Sequence, residues 1–176
     1  MACGMTSGYN DRTCTNGKGG IKSVLFYPVG NQSGATLTAN ELTALTVSGE
    51  TFHYKLKSNL SSYTAPIRRS EENGTLWYEQ TLSMVLNSDN KTLRSALHLL
   101  AQNELAAMVE KADGTYVMLG YGEGLKVADG NEYTSGVVKS DRNGHVIVLT
   151  GMENDEVPDV DATLAATLIA QSSYAA

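Results

Sequence analysis

EENGTLWYEQTLSMVLNSDNKTLRSALHLLAQN, residues 71 to 103, decides how the rest of this chain is read. Asn73-Gly74 is a turn signal. From Thr75 to Leu86, alternate residues Leu76, Tyr78, Gln80, Leu82, Met84 and Leu86 share one face. Trp77, Glu79, Thr81, Ser83 and Val85 share the other. That period of two predicts one long strand with its more apolar face on a core. Ser88 or Asp89 then offers an N-cap side chain, and a helix is expected from Asn90 to about Asn103. Leu93, Ala96, Leu97 and Leu100 recur at helical spacing, with Leu99 widening the stripe. A single amphipathic helix cannot form a core with itself, so its stripe is expected to cover an open end or face of a sheet.

Working outward, the other segments read as strands and polar loops. Ile21 to Val29 is a strand that stops at Pro28, and Gly30 to Gly34 is a loop. Leu37 to Val47 holds short apolar pieces. Thr51 to Lys57 alternates, with Phe52, Tyr54 and Leu56 on one face and His53, Lys55 and Lys57 on the other. Asn59 to Arg69 reads either as an edge strand or as a long loop anchored by Tyr63 and Ile67. Leu105 to Glu110 and Thr115 to Leu119 form a hairpin around Asp113-Gly114. Leu125 to Ala128 is a short strand. Thr134 to Ser140 and His145 to Thr150 are expected to form a second hairpin through Asn143-Gly144. Thr163 to Gln171 reads as helix or strand, with its alanines favouring helix. The fold class expected is mainly β: an antiparallel β-sandwich or rolled barrel with one flanking α-helix. Its parts are an extended arm over residues 1 to 20, the domain over 21 to 157, and a C-terminal extension over 158 to 176. Both ends are expected to lie on neighbouring subunits, because so polar an arm has little apolar surface to order it alone.

Composition narrows the function. With 176 residues and 3 prolines, there is one domain and no Pro-rich linker. The apolar share of 41% and the 17 glycines suit a loop-rich β protein, or a subunit that completes its burial against copies of itself. The net charge of −6 argues against general affinity for a nucleic-acid backbone. Cys3 and Cys14 make no disulfide framework and are expected as free thiols. The first 20 residues lack the apolar core of a signal peptide, and no apolar run is long enough to span a membrane.

Chemistry-bearing patterns are sparse. His53, His98 and His145 stand apart from one another and from any metal-ligand spacing. Gly17-Lys18-Gly19-Gly20 lacks the spacing of a phosphate loop, and no nucleophile elbow occurs. Glu153, Asp155, Glu156, Asp159 and Asp161 read as a solvated acidic loop rather than a calcium site. No catalytic, cofactor-binding or metal-binding residue is expected, and the chain reads as a non-enzyme. Arg68-Arg69 is the one adjacent basic pair. It reads as solvated charge or as a patch for the acidic loop of a neighbour, around Asp155 and Glu156.

One larger pattern joins these pieces. Gly19-Gly20-Ile21-Lys22 leads into the first strand, and Asn73-Gly74 precedes Tyr78-Glu79-Gln80-Thr81-Leu82. The helix ends in Leu100-Ala101-Gln102-Asn103. There follow Met108-Val109-Glu110, Asp113-Gly114-Thr115-Tyr116, Leu119-Gly120, Gly136, Asp141-Arg142-Asn143-Gly144, the strand to Thr150, and Gly151. In this order, over residues 17 to 157, the chain resembles the tail-tube (major tail) proteins of tailed bacteriophages, in the version found in phages of Bacteroidetes-type bacteria.

The resemblance implies a structural virion protein with no cofactor. Six subunits would close a ring, and stacked rings would form the tube that conducts DNA at infection. Its partners would be itself, other tail or connector proteins, and DNA that passes without specific binding; no membrane is involved. It would be assembled in the host cytoplasm and reside in the phage tail. Glu79, Thr81 and Ser83 are the candidates for the lumen or subunit interface, with Arg68, Arg69, Asp155 and Glu156 as further interface residues. The first alternative is a head-tail connector, tail terminator or tail-ring protein. A more distant one is a carbohydrate-binding or adhesion β-sandwich, for which Trp77 and Tyr78 are the clustered aromatics.

Overall fold

The computed structural model describes residues 18–57 and 59–174. Cys3, Cys14 and most of the expected N-terminal arm therefore lie outside the described residues. In chain order the strands are β1 (Ile21–Pro28), β2 (Gln32–Thr38), β3 (Glu41–Val47), β4 (Thr51–Lys55), β5 (Ser62–Thr64), β6 (Ile67–Ser70) and β7 (Thr75–Leu86). After helix α1 (Lys91–Ala101) come β8 (Leu105–Lys111), β9 (Tyr116–Leu119), β10 (Lys126–Val127), β11 (Glu132–Thr134), β12 (Gly144–Glu153) and β13 (Asp159–Val160). Helix α2 (Ala162–Ala170) and β14 (Ser172–Tyr174) end the described chain.

These strands form two sheets, so the fold is a β-sandwich. One sheet has the order β14-β4-β1-β8-β9-β13-β3-β2. In the other, β12 and β7 are central, β10 and β11 pair along β12, and β5 and β6 pair along β7. Pairing is antiparallel except for β13 on β3 and β14 on β4.

Two apolar clusters hold this arrangement. Between the sheets, Val24, Phe26, Val109 and Leu119 meet Leu82, Met84, Ile147 and Leu149, all buried. On the opposite face of the larger sheet, Leu25, Tyr27, Met108 and Met118 pack with Leu42, Val160, Ala165 and Leu168. Strand β1 thus feeds both clusters with successive residues. A strand covered on both faces reads as a continuous apolar run, and Val24-Leu25-Phe26-Tyr27 is one.

The second cluster overturns an expectation. Residues 158 to 176 were expected on other subunits, yet their described part is built into the domain. Strand β13 inserts between β9 and β3, with Val160 buried. Helix α2 settles the ambiguous Thr163 to Gln171 segment as helix. Asp161 caps it, its carboxylate accepting from the amides of Thr163 (2.9 Å) and Leu164 (3.3 Å). Ala165 and Leu168 close over the sheet. Among the described residues there is thus a second α-helix besides the expected flanking one.

The first helix behaves largely as its pattern requires. Leu93 and Leu100 are buried and Leu97 packs beside them. Its cap is Asn90, whose side chain accepts from the Leu93 amide at 2.6 Å, rather than Ser88 or Asp89. Leu99 does not widen the stripe; it is 60% exposed. Other expectations shift as well. Gly30 to Gly34 is a short 3-10 turn, Val29–Asn31, running into β2. The pieces from Leu37 to Val47 belong to a β2–β3 hairpin that turns at Ala39-Asn40, both with positive φ. In β4, His53 is buried and Phe52 is partly exposed. Of the expected anchors, Tyr63 packs on the core but Ile67 does not. The strand expected at Thr134 to Ser140 is only Glu132–Thr134, and residues 135 to 143 form a loop.

Candidate subunit interface

Strand β7 places the candidate residues. Its odd positions Glu79, Thr81 and Ser83 lie on the face of the smaller sheet turned away from the core, half-buried by their neighbours. Thr81 stands between Thr64 of β5 and Thr150 of β12, and Ser83 between Ser62 and Val148. This short polar row on a twisted sheet is bordered by Val85, Val146 and Val148. Glu79 stands opposite Met152, which is 65% exposed.

The structure ties Glu79 to another candidate. Its carboxylate accepts from Arg68 Nε at 2.8 Å. Arg68 is therefore engaged within its own subunit rather than left for an acidic loop next door. Both side chains are more than a third open to solvent, so the pair contributes at most about 1 kcal/mol. It still pairs the two charges with each other on that face. Lys126 and Glu104 do the same nearby, at 2.9 Å. Arg69 sits opposite Leu76 on the other side of the β6–β7 hairpin, exposed. Asp155 and Glu156 are exposed in the turn after β12. None of these three is brought to the Glu79, Thr81 and Ser83 row by a contact.

The hairpin itself is the more informative surface. The apolar face of β7 is buried from Gln80 to Leu86, but the same face continues past the edge of the core. There Leu76 is 55% exposed, and its hairpin neighbour Ile67 is 61% exposed. Tyr78 opposite Ile67 is half-buried. The facing sheet does not extend far enough to cover them. Trp77 and Tyr78 point to opposite faces of β7, so they form no shared aromatic platform.

Two buried polar side chains fix the other side of this region. Glu153 was expected in a solvated acidic loop, but it is 7% exposed and points inward. Its carboxylate accepts from the amides of Gly122, Glu123 (2.9 Å) and Gly124. The Gln80 side-chain oxygen accepts from the Gly120 amide at 2.8 Å. Both residues belong to the smaller sheet, and both hold the glycine loop that leaves β9 of the larger one. Gly120 has φ 64°, and a Cβ there would lie 2.8 Å from the Leu105 carbonyl oxygen, so glycine is required on both counts. Sequence spacing gave no sign of this, because the partners are about 30 to 40 residues apart.

A third polar group sits at the N-terminus of α1. Asp89 accepts two hydrogen bonds from Arg94 and lies 3.3 Å from His145 Nε2. The Arg94 hydrogen bonds hold the Asp89 carboxyl far below the usual carboxylate range. The Tyr133 ring rests 4.9 Å from that of His145. This set pins the helix to β12 and contains no nucleophile. His98 is exposed, beside Gln102. Burial lowers the pKa of His53. Among the described residues, no three or more His, Cys, Asp or Glu converge as a metal site. No described helix is long and apolar enough to cross a membrane. No family model, curated protein or solved structure matches the chain.

Proposed function

We propose that this chain is a structural virion subunit: a tail-tube protein that closes into hexameric rings, stacks them, and encloses DNA on its way to the host. The observation that carries this reading is the uncovered apolar end of the β6–β7 hairpin, with Ile67 and Leu76 each more than half exposed. A strand that keeps its apolar alternation beyond its own core supplies surface for another copy to bury. The edges of the larger sheet add to this. Strand β2 is exposed along most of its length, and closure of a ring would satisfy such edges.

The outer face of the smaller sheet suits a conduit. Thr81, Ser83, Thr64 and Thr150 are uncharged, and the charges beside them are paired as Arg68 with Glu79 and Lys126 with Glu104. Such a wall offers DNA few counterion-releasing contacts. On this reading the partners are further copies, other tail or connector proteins, and passing DNA, and the protein resides in the virion.

Negative-stain electron microscopy of the purified full chain tests the proposal. Hexameric rings that stack into tubes are expected. Rings that stop at one layer would move the assignment to a connector or terminator. A strictly monomeric protein at high concentration would overturn both.

A further inference from the structure

Among the described residues Asn precedes Gly twice, at Asn73-Gly74 and Asn143-Gly144. The dipeptide that makes a turn also has a chemistry of its own. A glycine nitrogen, with no Cβ beside it, can approach the preceding side-chain amide closely enough to close a five-membered ring. Ring closure needs the Asn–Gly peptide to rotate, and the fold treats the two pairs in opposite ways.

Asn73-Gly74 lies in the loop of the β6–β7 hairpin. Ser70 pairs with Thr75, and residues 71 to 74 between them are all exposed. Gly74 has φ 64°, and a Cβ there would meet no atom within 4 Å. The Asn73 backbone amide donates to Ser70 Oγ at a long 3.4 Å. Among the described residues, nothing hydrogen-bonds the Asn73 side chain or the Gly74 amide.

Asn143-Gly144 is held in place. Gly144 is buried as the first residue of β12 and pairs with Thr134 of β11. A Cβ there would collide with the Leu86 carbonyl oxygen, so this backbone is pressed against the end of β7. The Tyr133 hydroxyl donates to the Asn143 side-chain oxygen at 3.5 Å. Closing the ring would draw Gly144 out of its ladder, so Asn143 reacts only when this end of β12 opens locally.

We propose that Asn73 is a self-modification site of the folded chain, converted to aspartate and isoaspartate, while Asn143 is protected. The Gly74 nitrogen bonds to Asn73 Cγ, the Cγ–Nδ2 bond breaks, and the amide proton leaves with Nδ2 as ammonia. Water then opens the succinimide. Cleavage between the ring nitrogen and Cγ leaves aspartate. Cleavage between that nitrogen and the main-chain carbonyl carbon leaves isoaspartate, with the chain running through Cβ and Cγ. Either product puts a third carboxylate beside Glu71 and Glu72. Isoaspartate also adds a backbone atom to the loop that closes Ser70 on Thr75, next to Leu76. This does not depend on the ring assignment.

Peptide mapping by mass spectrometry tests the proposal, on the full chain incubated in mildly alkaline buffer at body temperature. Conversion replaces an amide NH2 by a hydroxyl, and reversed-phase chromatography separates the isoaspartyl peptide from the aspartyl one. In the folded protein Asn73 is expected to convert at least tenfold faster than Asn143. In guanidinium chloride, where neither pair is held, the gap should close to threefold or less. Asn143 converting as fast as Asn73 in the folded chain would overturn the proposal. So would a tenfold gap that persists in denaturant, since the fold would then not be its cause. An Asn73 that converts at least tenfold more slowly folded than unfolded would overturn it as well.

Discussion

Removing the apolar end of the β6–β7 hairpin should separate folding from assembly. The double variant I67S/L76S replaces two side chains that are 61% and 55% exposed in the isolated subunit. Because they contact so little of their own core, each change should alter subunit stability by no more than about 0.5 kcal/mol. Assembly is different. Full burial of an Ile or Leu side chain is worth about 1.5–3 kcal/mol, and somewhat over half of each remains to be buried. That is about 1–2 kcal/mol per residue and about 3 kcal/mol per interface. At 1.4 kcal/mol per decade, the concentration needed for assembly should rise about 100-fold. Analytical ultracentrifugation across a dilution series reads this shift, and urea unfolding of the dilute subunit checks that the fold is intact. Assembly at the parent concentration would refute the reasoning, because the exposed stripe would then not be an interface.

Other outcomes follow from the same contacts. E153A should lower stability by about 2–4 kcal/mol, since three amides of the 122–124 loop lose their acceptor. E153Q keeps an acceptor oxygen and should cost clearly less, as urea midpoints would show. L100A should cost about 2–5 kcal/mol, whereas L99A on the exposed side of α1 should leave the melting temperature nearly unchanged. His53 is buried and its pKa is lowered, so the unfolded chain binds its proton more readily than the folded one. Its contribution to stability is present above the unfolded value of about 6.5 and declines as pH falls below it. Unfolding free energies from pH 7.5 down to 5 should fall less in H53Q than in the parent. Duplex DNA should show no measurable affinity at physiological salt, given the net charge of −6. A submicromolar Kd with a steep salt slope in fluorescence anisotropy would contradict a passive conduit.

What the sequence determined by itself is local and periodic. The alternation from Thr75 to Leu86 fixed β7, because a period of two leaves only one way to bury Leu82, Met84 and Leu86 together. The spacing of Leu93, Leu97 and Leu100 fixed α1, and Asp113-Gly114 marked the β8–β9 hairpin. The segment Ile21 to Val29 was legible as a strand, but not that both of its faces are covered.

Only the tertiary structure decided what covers that second face. Helix α2 packs there from more than 100 residues beyond β1, and β13, a two-residue strand within the larger sheet, has too little pattern to announce its place between β9 and β3. The same holds for Glu153 in the 122–124 loop, Gln80 on Gly120, and Asp89 beside His145. Each is a polar side chain whose role depends on a partner 29 or more residues away. Alone in the sequence, such a residue looks the same solvated or buried. The hairpin stripe shows the converse. Its sequence continues the buried pattern through Leu76, and only the reach of the opposing sheet leaves that residue, with Ile67 beside it, in solvent.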